Sequence, residues 1–466
     1  MSPPSSPSRP KPTVVALGSP DQPADQGLAS LGLIMAATGS VLGPLVGAFA
    51  LIQVQVSAQM DTARTSTGIG EPDGLAYWWF VLGLASVIRA LAHRQAGIRL
   101  WRDAPGDPPA LAGIGRYLGV ATAHTMVWLG FLRVKLVAPT SILVGFALVL
   151  MAWPLAIWAV TRLPRFRRLG DRPPVGEDGG FEGLAVLMAL FGLGGVLLSL
   201  LLVQLGWQAR RGGELWLSNV LLLAGLGLTV RAALQAWIGV RAIRDGAVER
   251  TDDFLRYGSV GLVIGAGAGG LFMISLFVLS IDLFVLAAAT GVLLALLAWP
   301  ALVRRFVDWR RLGDIVDGTT RHRSRDGGVT AVGWLLLGSA ALGLAQGLAR
   351  ALTAMPGGEL AVMTGGNLAA ATAWYALPLA ALQLWAALEV LAVSDRRRWV
   401  ASLWAVLALA VIAVDVVPDA GALLRASRDQ SFFGWCAVLL AVLPAVATLV
   451  LVNRRIIPQA VARPRG

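Results

Sequence analysis

Apolar residues along this chain come in runs of about twenty or more, long enough to cross roughly 30 Å of hydrocarbon as helices. The clearest runs lie at 28–56, 139–161, 183–206, 281–303 and 431–453. No core-and-surface arrangement hides that many, so the bilayer itself is the solvent. Read end to end, the pattern predicts an all-α integral membrane protein of about twelve transmembrane helices. They are expected at 28–56, 76–97, 113–136, 139–161, 183–206, 215–240, 257–280, 281–303, 328–349, 367–392, 399–417 and 431–453. Residues 1–27, rich in Pro, Ser, Asp and Gln, read as a disordered cytoplasmic tail. That tail delays the first apolar run too long for a signal peptide, so the first helix is expected to stay in the mature protein. Residues 456–466 form a second cytoplasmic tail.

The same elements recur. Segment 87–103 aligns without gaps on 229–245, so that Arg89, Ala90, Gly97, Arg99, Arg102 and Asp103 meet Arg231, Ala232, Gly239, Arg241, Arg244 and Asp245. Arg116-Tyr117 is echoed by Arg256-Tyr257. Ala152-Trp153-Pro154 precedes an R-R-L-G-D stretch at 167–171, and Ala298-Trp299-Pro300 precedes another at 310–314. A more diverged third copy keeps A-A-L-Q-L-W at 380–385 against A-A-L-Q-A-W at 232–237, with Leu443-Pro444 ahead of Arg454-Arg455. The chain is therefore expected to divide into three tandem four-helix repeats at 28–171, 181–314 and 327–455. An even helix count gives each repeat the same orientation, as parallel repeats about the membrane normal have.

Composition agrees with the pattern. Hydrophobic residues make up 56% and charged ones 14%, well under the roughly 25% charged of an average soluble domain. A formal charge of +12 would suggest nucleic acid in a soluble protein, but here the basic residues gather in alternate connections and no basic domain stands outside the apolar runs. That distribution predicts no nucleic-acid partner. It places both termini in the cytoplasm, residues 57–75 outside and 304–327 inside. Trp78, Trp79 and Trp216 fall where the outer interface belt belongs. The expected location is a bacterial inner membrane, with the lipid bilayer itself and other membrane proteins as partners.

Candidate chemistry is sparse. One cysteine, Cys436, excludes an internal disulfide and any cysteine-rich metal site, and three histidines exclude cofactor schemes that need many imidazoles. His93 and His124, on consecutive helices, are the one pair that could face a haem or pigment, and hydrogen-bonded helix packing is the reading preferred for them. No cofactor, metal or catalytic group is expected. One layer draws attention: His93, Gln235 and Gln383 share a register in the second helix of each repeat, with Arg89, Arg231 and Leu379 one turn earlier. Polar groups at that depth cost several kcal/mol if unsatisfied and normally face the bundle interior. Arg89, His93, Arg231, Gln235 and Gln383 are thus the candidate ligand layer, for an anion or a lipid phosphate. The competing reading sends the arginines to the inner headgroups while the amides tie helices together. Gly39, Gly43 and Gly47, like Gly261, Gly265 and Gly269, are spaced by four. The G-A-G-A-G-G stretch at 265–270 lies in an apolar helix rather than after a strand, so both sets mark close helix packing, not a phosphate loop. The expected function is a permease or transporter, with an anion or lipid headgroup as its candidate substrate; the alternative is a non-catalytic subunit or scaffold of a larger membrane complex.

Overall fold

The computed structural model describes residues 27–67, 74–102, 108–163, 180–279, 283–317, 328–353, 367–425 and 428–454. These form twelve α-helices: α1 (Leu28–Thr67), α2 (Leu75–Arg102), α3 (Pro108–Lys135), α4 (Thr140–Arg162), α5 (Phe181–Arg211), α6 (Leu215–Asp245), α7 (Thr251–Leu279), α8 (Leu283–Asp317), α9 (Val329–Thr353), α10 (Asn367–Leu391), α11 (Arg397–Arg425) and α12 (Arg428–Asn453). No strand occurs among the described residues. Ten helices are long and apolar enough to cross a membrane, which makes this a multi-pass membrane protein. α3 falls short because Arg116, His124, Arg133 and Lys135 dilute it, and in α10 the side chains described are those of the apolar stretch Ala376–Leu391. Both expected tails, the R-R-L-G-D stretch at 167–171, Asp282 and the loop at 318–327 lie outside the described residues.

Two helices outrun their apolar segments. α1 continues to Thr67 through the stretch expected as the first outer loop, and α8 continues to Asp317 through the first half of an expected inner loop. Hydropathy marks only what lies in hydrocarbon, whereas good helix formers such as Ala58, Gln59, Met60 and Ala63 carry a helix onward into a polar medium. In α8 the extension holds an Arg304–Asp308 pair at i,i+4 (3.7 Å). Arg311, in the second R-R-L-G-D stretch, donates to Thr251 Oγ1 at 2.7 Å and also to Asp252 Oδ1, fastening the start of α7 to the end of α8.

Consecutive helices pack as neighbours, so α1 to α4, α5 to α8 and α9 to α12 each form a meander. The fourth helix of each set rests mainly on the first helix of another set: α8 on α1, α4 on α9 and α12 on α5. These three contacts run in one cyclic order, and α1, α5 and α9 also touch one another at the centre. There the helix starts meet in an apolar plug that includes Leu31, Leu33, Phe181, Leu184, Ala331 and Trp334, all essentially without solvent exposure. Trp334 donates its indole N–H to Gly27 O at 2.9 Å, joining the α9 start to the α1 start. Glu182 is fully buried beside the plug and accepts from the Ala247 N–H at 3.2 Å.

Small residues set how closely these helices approach. A Cβ on Gly39 would lie 2.6 Å from Ala90 O and 2.7 Å from Arg94 N of α2. The equivalent contact between α5 and α6 has Gly192, whose Cβ would meet Ala236 N at 2.4 Å. Gly43 and Gly47 face Ala90 and Val87 of α2, while Gly261, Gly265 and Gly269 face Pro300, Leu296 and Leu293 of α8. Every one of the six sequence-nominated glycines therefore sits at a helix contact. Across the seams, Gly145 of α4 abuts Ala349 of α9, and Gly291 of α8 abuts Ala48 and Pro44 of α1. Each of these two glycines lies nine residues before its helix proline; the same place in α12 is Trp435. The α12–α5 seam is the slightest of the three.

The stretch 265–270 supplies its own control. A Cβ on Gly269 would meet Leu293 Cδ1 at 2.4 Å and Leu293 Cα at 3.2 Å, whereas Gly270 has nothing within 4 Å. Gly269→Leu should lower the melting temperature in detergent by several degrees, matching a cost of about 1–3 kcal/mol for overpacking. Gly270→Leu should leave it unchanged. Equal melting temperatures for the two variants would contradict this packing.

Candidate functional site

The polar layer is best built from two prolines. Pro154 in α4 and Pro300 in α8 lack an N–H, so the carbonyls four residues earlier, Leu150 O and Leu296 O, lose their helical donors. Water is absent from the bilayer core, and a bare carbonyl there costs several kcal/mol. Arg89 of α2 fills the first gap, its Nη2 donating to Leu150 O at 2.5 Å. Arg231 of α6 fills the second, its Nη1 donating to Leu296 O at 2.7 Å. Gly265 makes room for that bond, since a Cβ would stand 3.0 Å from Arg231 Nη1 and 3.1 Å from Leu296 O.

Each guanidinium has further partners in its own set of helices. Arg89 lies near the Tyr117 hydroxyl of α3, and its Nη1 is 3.1 Å from His124 Nδ1. Arginine can only donate, so Nδ1 accepts and the His124 proton sits on Nε2. Nε2–H then donates to Ser86 Oγ at 2.9 Å, and the Ser86 hydroxyl donates to Leu82 O at 2.7 Å. Trp128 Nε1, itself only a donor, lies 3.1 Å from the same Nε2 and is in contact rather than bonded while Arg89 holds Nδ1. In the second set, the Tyr257 hydroxyl of α7 lies near Arg231. That hydroxyl donates to Gln235 Oε1 at 2.5 Å, and Gln235 Nε2 donates to Met188 O of α5 at 3.3 Å.

The layer one turn below Arg89 ties second helices to first helices. His93 Nε2 is 2.9 Å from Thr38 Oγ1, and the Thr38 hydroxyl donates to Ile34 O at 2.8 Å. Thr38 therefore accepts, His93 donates from Nε2, and His93 Nδ1 is left without a hydrogen bond although its ring packs 4.6 Å from that of Tyr117. In the third set Gln383 Nε2 donates to Ser339 Oγ at 2.5 Å, and Ser339 donates to Leu335 O at 3.1 Å. Leu379 stands there in place of an arginine.

The structure thus brings Arg89 together with Tyr117, His124 and Leu150, and Arg231 with Tyr257, Gln235 and Leu296. Gln383 pairs within α9 and α10. Among the described residues no hydrogen bond joins the Arg89, Arg231 and Gln383 clusters to one another. His93 and His124 share no hydrogen-bond partner, and no group of three His, Cys, Asp or Glu gathers as metal ligands among the described residues. Sequence reading noticed Tyr117, Tyr257, Pro154 and Pro300 as repeated residues but did not join them to the arginines. The joining signal is the four-residue step from each proline back to its carbonyl. Glu182 and Glu389 were also missed as buried carboxylates; Glu389 accepts from Trp385 Nε1 at 3.2 Å and from the Ser394 hydroxyl. No protein-family model and no curated protein matches the chain.

The two tyrosines do unequal work. Removing the Tyr257 hydroxyl strips a donor from buried Gln235, whereas His93 Nδ1, in the Gln235 position, is already unpaired. Tyr257→Phe should therefore cost about 1–3 kcal/mol of stability, as an orphaned buried acceptor does. Tyr117→Phe should cost less than half as much. Chemical unfolding in detergent measures both, and the reverse order would contradict these hydrogen-bond assignments.

Proposed function

We propose that the chain is a ring of three like-oriented four-helix repeats, 28–171, 181–314 and 327–455, crossing the membrane twelve times, and that it acts as a non-catalytic subunit or scaffold of a larger membrane complex. One observation carries this reading: the polar groups nominated for a ligand are engaged in holding helices together. Arg89 and Arg231 serve proline-freed carbonyls, while His93, Gln235 and Gln383 bind the first helix of their own set. The repeat assignment is supported by matched contacts. Thr38 and Ser339 stand in the same role toward His93 and Gln383, and Gly145 and Gly291 stand in the same role toward Ala349 and Ala48. The cyclic order of fourth helix on first helix supports closure by a head-to-tail rotation, as in a ring of subunits. The excess of Lys and Arg in the tails and alternate connections supports cytoplasmic termini and an inner-membrane setting.

A permease for an anion or lipid headgroup is the second reading, and a specific observation favours it. Neither Arg89 nor Arg231 has a carboxylate partner among the described residues, so each keeps a full positive charge that an anion could meet. The readings part on a variant that removes charge and need together: Arg89→Leu, Arg231→Leu, Pro154→Ala and Pro300→Ala. Alanine restores the N–H donors to Leu150 O and Leu296 O, so the scaffold reading expects the variant to accumulate and to support growth wherever the gene is required. Normal accumulation with lost growth would overturn it in favour of the permease.

A further inference from the structure

A cleft of about 700 Å³ opens between α2 and α8, lined by Leu91, Arg94, Gln95, Ile98, Arg99, Arg305 and Trp309. Both helices lean on α1, one from its own set and one from the next, so the cleft is the seam between two sets of four. Its inner end is sealed where Trp101 of α2 stacks on Phe306 of α8, 4.8 Å between centroids and 8° apart. Above that seal three guanidiniums face one space. Arg94, Arg99 and Arg305 have no hydrogen bond or ion pair among the described residues. Each ordinarily attracts a carboxylate at this density of charge, and nearby Arg304 has one in Asp308.

The cleft is also amphipathic in the manner of an interface. Leu91 is 52% exposed and Trp309 42% exposed, giving an apolar wall and an indole beside the charges. Tryptophan favours the headgroup level, and basic pockets between helices on the inner side suit phosphate headgroups. The equivalent seam between α6 and α12 differs. There Arg454 donates to Ile243 O, bridging the two helices, and Arg241, at the Arg99 position, is paired with Asp245 at 3.6 Å. One seam is held shut by protein and the other is left open and positive.

We propose that the α2–α8 seam binds the phosphate headgroup of an anionic phospholipid, with its acyl chains lying along Leu91 and Ile98. The occupant closes this seam as Arg454 closes the other. A soluble phosphate would satisfy the guanidiniums but leave Leu91 and Trp309 bare, which is why a lipid is preferred. The site uses neither Arg89 nor Arg231 and stands apart from the scaffold and permease readings alike.

Native mass spectrometry of the full chain in detergent, titrated with phosphatidylglycerol, phosphatidylcholine or inorganic phosphate, tests this. Phosphatidylglycerol should bind at least about tenfold tighter than phosphatidylcholine. The Arg94→Gln, Arg99→Gln, Arg305→Gln variant should lose about a hundredfold, at about fivefold per arginine. Its melting temperature without lipid should match wild type, because the three side chains have no hydrogen-bond or ion-pair partner among the described residues to lose. Arg241→Gln, in the closed seam, should bind phosphatidylglycerol like wild type. Unchanged binding by the triple variant, or equal binding of the two lipids, would overturn the proposal. Inorganic phosphate at millimolar concentration displacing phosphatidylglycerol would reassign the cleft to a soluble anion and overturn it as well.

Discussion

A carbonyl that has lost its helical donor cannot turn to water inside a bilayer, and two such carbonyls organise this protein. Pro154 and Pro300 create them, and Arg89 and Arg231 answer them from the second helix of the same set. Arg89 also meets His124, with Tyr117 nearby, and Tyr257 lies near Arg231 in the other set. Bringing a charged side chain this deep costs roughly 2.5–3.5 kcal/mol on insertion scales. A bare carbonyl costs a comparable amount, so the pairing offsets two penalties at once and links the second helix to the fourth. Neither residue is tolerable alone; together they are a crosslink.

Glycine contacts do for shape what the arginines do for polarity. In lipid no hydrophobic force separates a helix from its neighbours, so close approach of backbones drives association. Gly39 against Ala90 and Gly192 against Ala236 set the first-to-second helix distance. Gly145 and Gly291 set two of the seams, and Trp435 in the third has no equivalent fit. The third set also lacks the arginine, having Leu379, and keeps only the Gln383–Ser339 tie. Loss of the glycine and of the guanidinium in the same set is consistent with a unit whose interior and seam have both relaxed.

Much of this was legible in the chain, and the gaps have physical causes. Runs of apolar residues located the helices because hydrocarbon thickness dictates their length. They misjudged the ends of α1 and α8, where the helix outlives its apolar segment. The glycine ridges were legible because spacing by four puts residues on one face. Comparing registers put His93, Gln235 and Gln383 in one layer, but their partners were not legible. Thr38, Ser339, Leu150 and Leu296 lie on other helices, and two of those partners are backbone carbonyls that hydropathy cannot distinguish. The α2–α8 cleft was invisible for a further reason. Arg94 and Arg99 come from one set and Arg305 from another, and they meet only because α8 packs on α1 rather than on α5.

The central claim is that Arg231 is present because Pro300 is. A double-mutant cycle in detergent measures it directly, with Arg231→Leu, Pro300→Ala and the pair unfolded chemically beside wild type. Arg231→Leu alone orphans Leu296 O and should cost about 1–3 kcal/mol. Adding Pro300→Ala returns a backbone donor to that carbonyl and should recover most of the loss, giving a coupling energy of about 1–2 kcal/mol. Losses that simply add, with no coupling, would show that the guanidinium serves something other than the proline-freed carbonyl.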